Sequence, residues 1–348
     1  LRVIDIATPS APVEVGYYSS ANGYSRDVAV LDHVAYLASN TPGLTILDIS
    51  TPSIPTVVGT FDVPGRTRSV AGSGNYGFLA DGNGIRVIDL NAQPSPTEVG
   101  FLATPGVSDE VVVSNGLAYV ADGYSGLKVI DITTPWAPFE VGACDTPGLA
   151  RGVAVSGDYA YVAALGAGLR VVDVSTPSAP VEVGGLNTPG YAEGVAVSGH
   201  MAYVADRNQG LRMIDVGNPS APVEVGFFDT AGNAYDVAVQ GGYAYVADAN
   251  MGLRVIDVGN PAEPIEVGFF DTPRLAYHVA LSGGIAYVAD WKGLVAIDVS
   301  TPSSPVEVAL FDTPGEAYGV ATAGGKVLLA DGCAGLAVFK SCSSSGRD

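Results

Sequence analysis

The sequence predicts an all-β fold built from eight copies of a four-stranded unit of about 42 residues. The first observation behind this prediction is self-similarity. A motif of the form GLxVID starts at Leu1, Leu44, Ile85, Leu127, Leu169, Leu211, Leu253, Leu294 and, in a degraded form, Leu336. The second is local composition, because short runs of Val, Ile, Ala and Tyr are separated by Gly, Pro, Ser and Asp, as turns between strands require. No window shows a helical period.

One copy, residues 151–190, illustrates the strands of each unit. We expect strand A at 152–155, strand B at 159–163, strand C at 169–174 and strand D at 180–184. The strands lack strict apolar/polar alternation, which indicates sheets buried on both faces. Four-stranded sheets repeated radially form a β-propeller. A β-solenoid is the rival architecture, but its coils are normally much shorter than this unit.

The ends of the chain predict how the ring closes. Strands A, B and D occur eight times and strand C nine times, so we expect eight blades in one domain, residues 1–340, followed by a short polar tail at 341–348. Blade eight combines residues 319–340 with 1–17, and either terminal copy of strand C fits it. The unused copy is expected to become an outer edge strand. Such an edge is a template for another chain, so the segment from Leu1 to Ile6 is predicted to support self-association.

Charge and hydropathy exclude several classes of partner. The chain has 16 basic and 36 acidic residues, for a net charge of −20. Nucleic-acid binding requires a cationic surface, and attachment to anionic lipid requires the same. No apolar run is long enough to span a membrane. We therefore predict no nucleic-acid partner and no membrane insertion, and the acidic composition favours an extracellular location.

Two recurrent charged positions are interpreted as structural. The residue after the first residue of strand C is usually basic, and a Glu follows twelve positions later, which predicts cross-strand ion pairs. These pairs are Arg2 with Glu14, Arg86 with Glu98, Lys128 with Glu140, Arg170 with Glu182, Arg212 with Glu224 and Arg254 with Glu266. The Asp that closes each VID motif precedes a turn, where its carboxylate is expected to accept backbone N–H bonds.

Metal and cysteine chemistry is sparse. The three histidines, His33, His200 and His278, lie in separate units, which argues against zinc. We predict no cofactor, apart from a single calcium or other ion at the channel mouth. The chain has no CxxC pair. Whether Cys333 and Cys342 form a disulfide is left open.

A candidate ligand site lies where the repeats vary, at the pair of residues before strand A. In a propeller this pair lines the mouth of the central channel, a concave place that suits ligands. The candidate residues are Arg26, Asp27, Arg68, Asp109, Glu110, Arg151, Glu193, Tyr235, Asp236, Tyr277, His278 and Tyr318. The arginines suit an anion, and the carboxylates suit acid–base chemistry on a sugar. The alternative is a solvated lining whose charges neutralise each other.

The B–C loops form a second variable region, expected on the same rim of the ring as the D–A loops. The candidates there for partner binding are Tyr124, Arg207, Trp291 and Lys292. Exposed Trp, Tyr and Arg often anchor a partner, and aromatic rings also stack on sugars. A tryptophan packed into the rim is the alternative for Trp291.

The repeated core GLxVIDVSTPSAPVEVG, together with AYVAD, resembles the LVIVD-repeat family over essentially the whole chain, from Leu1 to Lys340. The resemblance implies a β-propeller of a secreted or surface-attached bacterial or archaeal protein, with a role in adhesion or in a surface layer. It implies no catalytic residues. The expected function is therefore non-enzymatic binding of a protein or glycan at the rim. The alternatives are a channel-mouth hydrolase or lyase acting on a sugar-like or carboxylate substrate, and a purely structural spacer.

Overall fold

The structure is a computed structural model that describes residues 97–282 and 284–323 continuously. Outside these ranges it describes the segments 2–5, 13–17, 25–31, 34–39, 44–48, 56–61, 69–73, 75–80, 82–89, 92, 326–331 and 336–340. Side chains are described mainly for 97–282 and 284–311. All regular secondary structure in the described residues is β-strand, as the sequence predicts.

The described residues contain thirty-two strands in chain order. The first ten are β1 (Arg2–Asp5), β2 (Val13–Tyr17), β3 (Ser25–Leu31), β4 (Val34–Ser39), β5 (Leu44–Asp48), β6 (Thr56–Phe61), β7 (Ser69–Ser73), β8 (Tyr76–Ala80), β9 (Gly84–Asp89) and β10 (Thr97–Ala103). The next twelve are β11 (Glu110–Ser114), β12 (Leu117–Ala121), β13 (Leu127–Asp131), β14 (Phe139–Cys144), β15 (Gly152–Ser156), β16 (Tyr159–Ala163), β17 (Leu169–Asp173), β18 (Val181–Leu186), β19 (Gly194–Ser198), β20 (Met201–Ala205), β21 (Leu211–Asp215) and β22 (Val223–Phe228). The last ten are β23 (Asp236–Gln240), β24 (Tyr243–Ala247), β25 (Leu253–Asp257), β26 (Ile265–Phe270), β27 (His278–Ser282), β28 (Ile285–Ala289), β29 (Trp291–Asp298), β30 (Val306–Ala323), β31 (Lys326–Asp331) and β32 (Leu336–Lys340).

The described strands form six four-stranded sheets and one of eight strands. Each four-stranded sheet is one repeat, with strands A, B, C and D in antiparallel order. In the eight-stranded sheet, β30 continues without a break from strand D of one repeat into strand A of the next. The predicted strand order and bounds within a repeat are confirmed to within two residues.

The chain termini meet in the eight-stranded sheet. Strand β32 pairs with β31 antiparallel, so the Leu336 copy is strand C of the last repeat. Strand β1 pairs with β32 in parallel, with Val3 opposite Val338, and β2 pairs with the other side of β1. The expectation that the unused copy would be the outer edge was wrong. Strand β1 brings its own hairpin partner, and β2 is the outermost strand.

The hydrophobic core lies between successive sheets. All five residues of β20 are buried, as are four of the five in β12, β16 and β24. One core cluster joins Tyr161 and Leu169 of one sheet to Ala202 and Ile214 of the next. Each sheet therefore has two buried faces, and the repeat-to-repeat interface is the main source of apolar burial.

The glycine of each VEVG sequence marks where the next repeat covers strand D. A Cβ added at Gly184 would lie 2.2 Å from the carbonyl oxygen of Pro219 and 2.9 Å from Cδ of Pro222. Equivalent contacts with the following C–D turn occur at Gly100, Gly142, Gly226 and Gly268. The proline turn therefore shields the outer edge of the preceding sheet, a place where unprotected strands promote aggregation.

Four of the six predicted ties form, but diagonally. No ion pair joins Lys128 to Glu140 in the described residues, and Arg2 and Glu14 lie outside the described side chains. Nitrogen–oxygen distances are 2.9 Å for Arg86–Glu98, 3.5 Å for Arg170–Glu182, 3.7 Å for Arg212–Glu224 and 3.8 Å for Arg254–Glu266. The prediction of direct opposition was wrong, because a bulge in the C–D hairpin shifts the register. Arg212 is opposite Phe227, and its guanidinium lies 4.6 Å from the centre of that ring.

The predicted turn role of the VID aspartates is confirmed where side chains are described. Their Oδ1 atoms accept backbone N–H bonds from the residue two positions later. These distances are 2.8 Å at Asp131, 2.9 Å at Asp173, 2.8 Å at Asp215, 2.8 Å at Asp257 and 2.9 Å at Asp298. Hydrogen bonds from Ser175 lower the pKa of Asp173.

Candidate functional site

The B–C loop of each repeat is joined to the D–A loop that leads into the next repeat. Arg207 and Ala234 exchange backbone hydrogen bonds of 3.0 Å in both directions, and equivalent bridges link Gly123 to Ala150, Leu165 to Ala192 and Ala249 to Ala276. The expectation that these loops share one rim is therefore confirmed in the described repeats. Because the loops are fixed by main-chain bonds, their side chains vary without altering the framework.

The second residue after strand B adopts a left-handed backbone conformation in each of these repeats. The φ angles are 59° at Gly123, 42° at Leu165, 47° at Arg207, 48° at Ala249 and 67° at Trp291. Such angles suit glycine and cost other residues free energy. Trp291 occupies the equivalent bridging position, opposite Ala317. A large aromatic residue thus stands in a conformation that it disfavours, and strained positions of this kind concentrate at functional sites.

Below the rim, the Asp that follows strand B holds the D–A loop. Asp206 is completely buried and accepts hydrogen bonds from Thr188 Oγ1 at 2.6 Å and Gly190 N at 2.8 Å. Asp122 and Asp248 make the same contacts with their own loops. Burial raises the pKa of Asp206 and Asp248 despite these bonds. In these three repeats, the Asp after strand B is therefore a buried tie between two loops.

Four side chains of the mouth and rim form a row of alternating charges across three repeats. Arg151 Nη1 lies 3.1 Å from Asp109 Oδ1, and Arg151 Nε lies 3.3 Å from Glu193 Oε2. Arg207 Nη2 pairs with the other oxygen of Glu193. The carboxylates of Asp109 and Glu193 are only 8% and 11% exposed. The row therefore matches the predicted alternative in which the lining neutralises its own charges.

Two other candidates of the mouth connect neighbouring repeats. Glu110 Oε2 accepts a 2.6 Å hydrogen bond from the backbone N of Val153, and Asp236 Oδ2 accepts one of 3.2 Å from Val279 N. His278 Nδ1 lies 3.5 Å from the same oxygen of Asp236. Both carboxylates pair with a main-chain donor of the neighbouring strand A, which would otherwise have no partner in its own sheet.

Tyrosines extend the row on its other side. The rings of Tyr235 and Tyr277 lie 5.3 Å apart at an angle of 33°. The guanidinium of Arg207 lies 5.7 Å from the ring of Tyr191 and 5.9 Å from that of Tyr235. Tyr191 is half exposed, at 52%. Sequence reasoning missed it, because Tyr191 precedes the rim alanine, whereas Tyr235 and Tyr277 follow theirs.

The predicted partner-binding residues of the rim differ in exposure. Tyr124 is 82% exposed and Trp291 is 39% exposed. Lys292 is also exposed. Arg207 instead points its charge at Glu193. Tyr124, Trp291 and Tyr191 are thus the aromatic side chains that the described rim offers to solvent.

The LVIVD repeat signature matches eight consecutive segments: 1–20, 22–63, 64–104, 105–146, 147–188, 189–230, 231–272 and 273–313. The chain belongs to the LVIVD repeat family. No functionally curated protein matches it significantly.

Several solved structures share the fold of this LVIVD repeat protein. Sqt1 from Saccharomyces cerevisiae is 8% identical, with a TM-score of 0.77 over 93% of this chain and 98% of that chain. Sqt1 from Chaetomium thermophilum, bound to the N-terminus of ribosomal protein L10, is 12% identical, with a TM-score of 0.76 over 94% and 99%. BamB from Moraxella catarrhalis is 10% identical, with a TM-score of 0.70 over 89% and 95%. These similarities show a β-propeller repeat fold.

Some predicted positions in these LVIVD repeats lie outside the described side chains, namely Arg26, Asp27, Arg68, Tyr318, Cys333 and Cys342. Within the described residues, no group of three or more His, Cys, Asp or Glu is placed to hold a metal ion. An ion at the channel mouth stays a prediction. Cys144 is a buried free thiol, and burial raises its pKa. No helix among the described residues is long and apolar enough to span a membrane.

Proposed function

We propose that this chain is a non-enzymatic binding or assembly protein that works outside the cell or at its surface and binds a protein through the rim. The observation that carries the proposal is the set of exposed aromatic side chains on the rim, Tyr124, Tyr191 and Trp291. They vary between repeats and stand on loops fixed by backbone bridges. Rigid aromatic side chains with exposed faces are frequent anchors in interfaces.

The contacts of the mouth favour binding over catalysis. A channel-mouth hydrolase or lyase requires carboxylates that are able to exchange protons with a substrate. Asp109 and Glu193 are instead held by Arg151, and Glu110 accepts a main-chain N–H. These groups have structural partners already, so the enzymatic alternative is the less favoured proposal.

A protein is the preferred partner, and a glycan is the second candidate. The Chaetomium thermophilum relative in fold was solved with a segment of ribosomal protein L10 bound, which supports protein binding as a use of this architecture. The exposed ring faces of Tyr124 and Trp291 support a glycan, because sugars stack on aromatic rings. The net charge of −20 argues against polyanionic partners of either kind.

We further propose that the repeats close into a single eight-bladed ring over residues 1–340. The first strands of consecutive repeats, β3, β7, β11, β15, β19, β23 and β27, are neighbours in that order. Strand β27 also adjoins β30, which in turn adjoins β3. Pairing of β1 with β32 supports a closure that uses both chain ends.

The experiment compares capture of proteins from the cell-surface fraction of the source organism by the unchanged chain and by two variants. The rim variant carries Tyr124→Ser, Tyr191→Ser and Trp291→Ser. The control carries Trp136→Ser, which removes a 68% exposed tryptophan from a C–D turn. We expect the rim variant to lose specific partners and the control to keep them. Equal capture by all three proteins contradicts the proposal, and a glycan array with the same variants tests the second candidate.

Self-association through the surplus strand is a separate proposal. The parallel pairing of β1 with β32 spans only two residue pairs, and β2 leaves an outer edge. Deletion of residues 1–6 is expected to weaken assembly between copies, measured by light scattering. An unchanged oligomeric state contradicts the proposal.

A further inference from the structure

One repeat lacks the buried carboxylate that its neighbours share. The residue after strand B is Asp122, Asp206, Asp248 or Asp290 in four described repeats, but Ala164 in the repeat of β15–β18. The loop backbone is the same: Ala164 N bonds to Gly168 O at 2.8 Å, as Asp206 N bonds to Gly210 O at 2.8 Å. Ala164 is completely buried. The carboxylate that occupies this place in the other loops is therefore missing here, although the loops are otherwise built alike.

The donors that surround this space remain. Thr146 corresponds to Thr188 and Thr230, which donate to the aspartate, yet Thr146 Oγ1 is buried and without a hydrogen-bond partner. Thr146 is only 7% exposed. Gly148 corresponds to Gly190 and Gly232, whose N–H groups also donate to the aspartate. A buried hydroxyl without a partner costs free energy that a suitable acceptor recovers.

The arginine of strand C has fewer carboxylates around it in this repeat than in the next one. Arg212 of the next repeat has three carboxylates nearby, Asp206 at 3.7 Å, Glu224 at 3.7 Å and Asp229 at 2.9 Å.

Its counterpart Arg170 has one carboxylate, Glu182 at 3.5 Å, because Ala164 and Asn187 replace the other two acids. The Nη2 group of Arg170 donates to Ala167 O and Asn187 Oδ1. Its buried Nε has no hydrogen-bond partner, as is also true of Arg212 and Arg254. The repeat thus keeps its guanidinium and has lost two negative charges.

We propose that the space beside Ala164 is a binding site for a small monovalent anion of the size of chloride. The anion takes the place of the missing carboxylate and accepts hydrogen bonds from Thr146 Oγ1 and Gly148 N near the Arg170 guanidinium. Water is the weaker occupant, because it carries no charge to balance the arginine. This site is independent of the rim and of the proposed partner binding.

The first test measures the thermal unfolding midpoint in sodium chloride and in sodium gluconate at equal ionic strength, because gluconate is too large for the space. Chloride is expected to raise the midpoint of the unchanged protein by about 2–4 °C over gluconate at saturation. Ala164→Asp supplies the carboxylate internally and is expected to abolish the difference. Equal midpoints for the unchanged protein, or the same chloride effect in A164D, overturn the proposal.

A pair of threonine variants keeps the test decisive if Ala164→Asp does not fold. Thr146→Val removes a donor from the proposed site and is expected to reduce the chloride effect. Thr230→Val removes the equivalent donor beside Asp248, where the carboxylate already accepts the hydrogen bond, and is expected to leave the effect unchanged. Equal chloride effects in the two variants contradict the site.

Crystals soaked in bromide provide a direct readout. An anomalous peak beside residue 164, and none beside Asp206 or Asp248, is expected. A water molecule without anomalous signal in that space overturns the proposal. Asp206→Ala is expected to create a second peak in the next repeat and roughly to double the chloride effect.

Discussion

Asp206 shows how a single buried carboxylate sets a pH dependence. Its side chain is completely buried, and burial raises its pKa above the value of 3.8 for an exposed Asp. The folded state therefore binds a proton more tightly than the unfolded state. The stability contributed by protonation of Asp206 is fully present below pH 3.8 and is lost as the pH rises through the folded pKa.

Replacement of Asp206 by Asn removes this titration. We expect the free energy of unfolding of the unchanged protein to increase relative to that of Asp206→Asn as the pH falls from 7 toward 4. Urea unfolding at several pH values measures the difference. Asp145→Asn, which removes a carboxylate from an exposed position of a D–A loop, is the matched control. A difference that is constant with pH for D206N contradicts the prediction.

Arg151 neutralises two carboxylates of the mouth. Replacement of Arg151 by Met leaves Asp109 and Glu193 with little solvent and without this partner. We expect a loss of about 1–3 kcal/mol in the free energy of unfolding, less than for a fully buried pair because Arg151 is 31% exposed. Arg274→Met, at an exposed arginine of a D–A loop, removes the same charge and is expected to cost under about 0.5 kcal/mol. Equal losses in the two variants contradict the assigned role of Arg151.

At the scale of the element, the pattern of the repeat predicted the strands well, because period, turn residues and composition all recur. It predicted the Arg–Glu partners but not their diagonal geometry, since the bulge in the C–D hairpin has no signature in one strand alone. For the candidate site, the sequence predicted which residues lie at the channel mouth and rim, but not which of them contact each other. Their pairing into a row from Asp109 to Arg207 depends on the distance between neighbouring sheets, which no single repeat encodes.

Two neighbouring glycines of strand D face different neighbours. Gly184 lies against the backbone of the next repeat, whereas Gly185 lies against the flexible end of the Arg170 side chain. A Cβ at Gly184 meets the carbonyl of Pro219 at 2.2 Å, whereas a Cβ at Gly185 meets the terminal Nη1 of Arg170 at 2.4 Å. We expect Gly184→Ala to cost about 2 kcal/mol or more, because the turn of the next repeat must move. Gly185→Ala is expected to cost under about 1 kcal/mol, since the arginine side chain shifts. Chemical denaturation measures both values, and the reverse order contradicts the assigned packing.

At the scale of the molecule, the distribution of charge differs between the rim, which carries the B–C and D–A loops, and the opposite ends of the strands, which carry the A–B and C–D turns. Within residues 97–311, every Lys and Arg lies on strand C or in a loop of the rim, as the positions show: Lys128, Arg151, Arg170, Arg207, Arg212, Arg254, Arg274 and Lys292. Within the same residues, the A–B and C–D turns on the opposite side carry acids such as Asp158 and Glu263 and no lysine or arginine. The opposite side therefore repels acidic surfaces, and the rim is the side with mixed chemistry.

Closure of the whole molecule is tested by linking the two chain ends. Positions 3 and 338 are paired in the parallel ladder between β1 and β32, so Val3→Cys with Val338→Cys, in a background of Cys333→Ser and Cys342→Ser, is expected to form a disulfide within one chain. A bond that closes so long a loop restricts the unfolded state, and we expect about 3–5 kcal/mol of added stability. Non-reducing electrophoresis and thermal unfolding measure the link and its effect. Bonds formed only between chains contradict closure within one molecule and instead indicate exchange of β1 between copies, whereas no bond at all contradicts both arrangements.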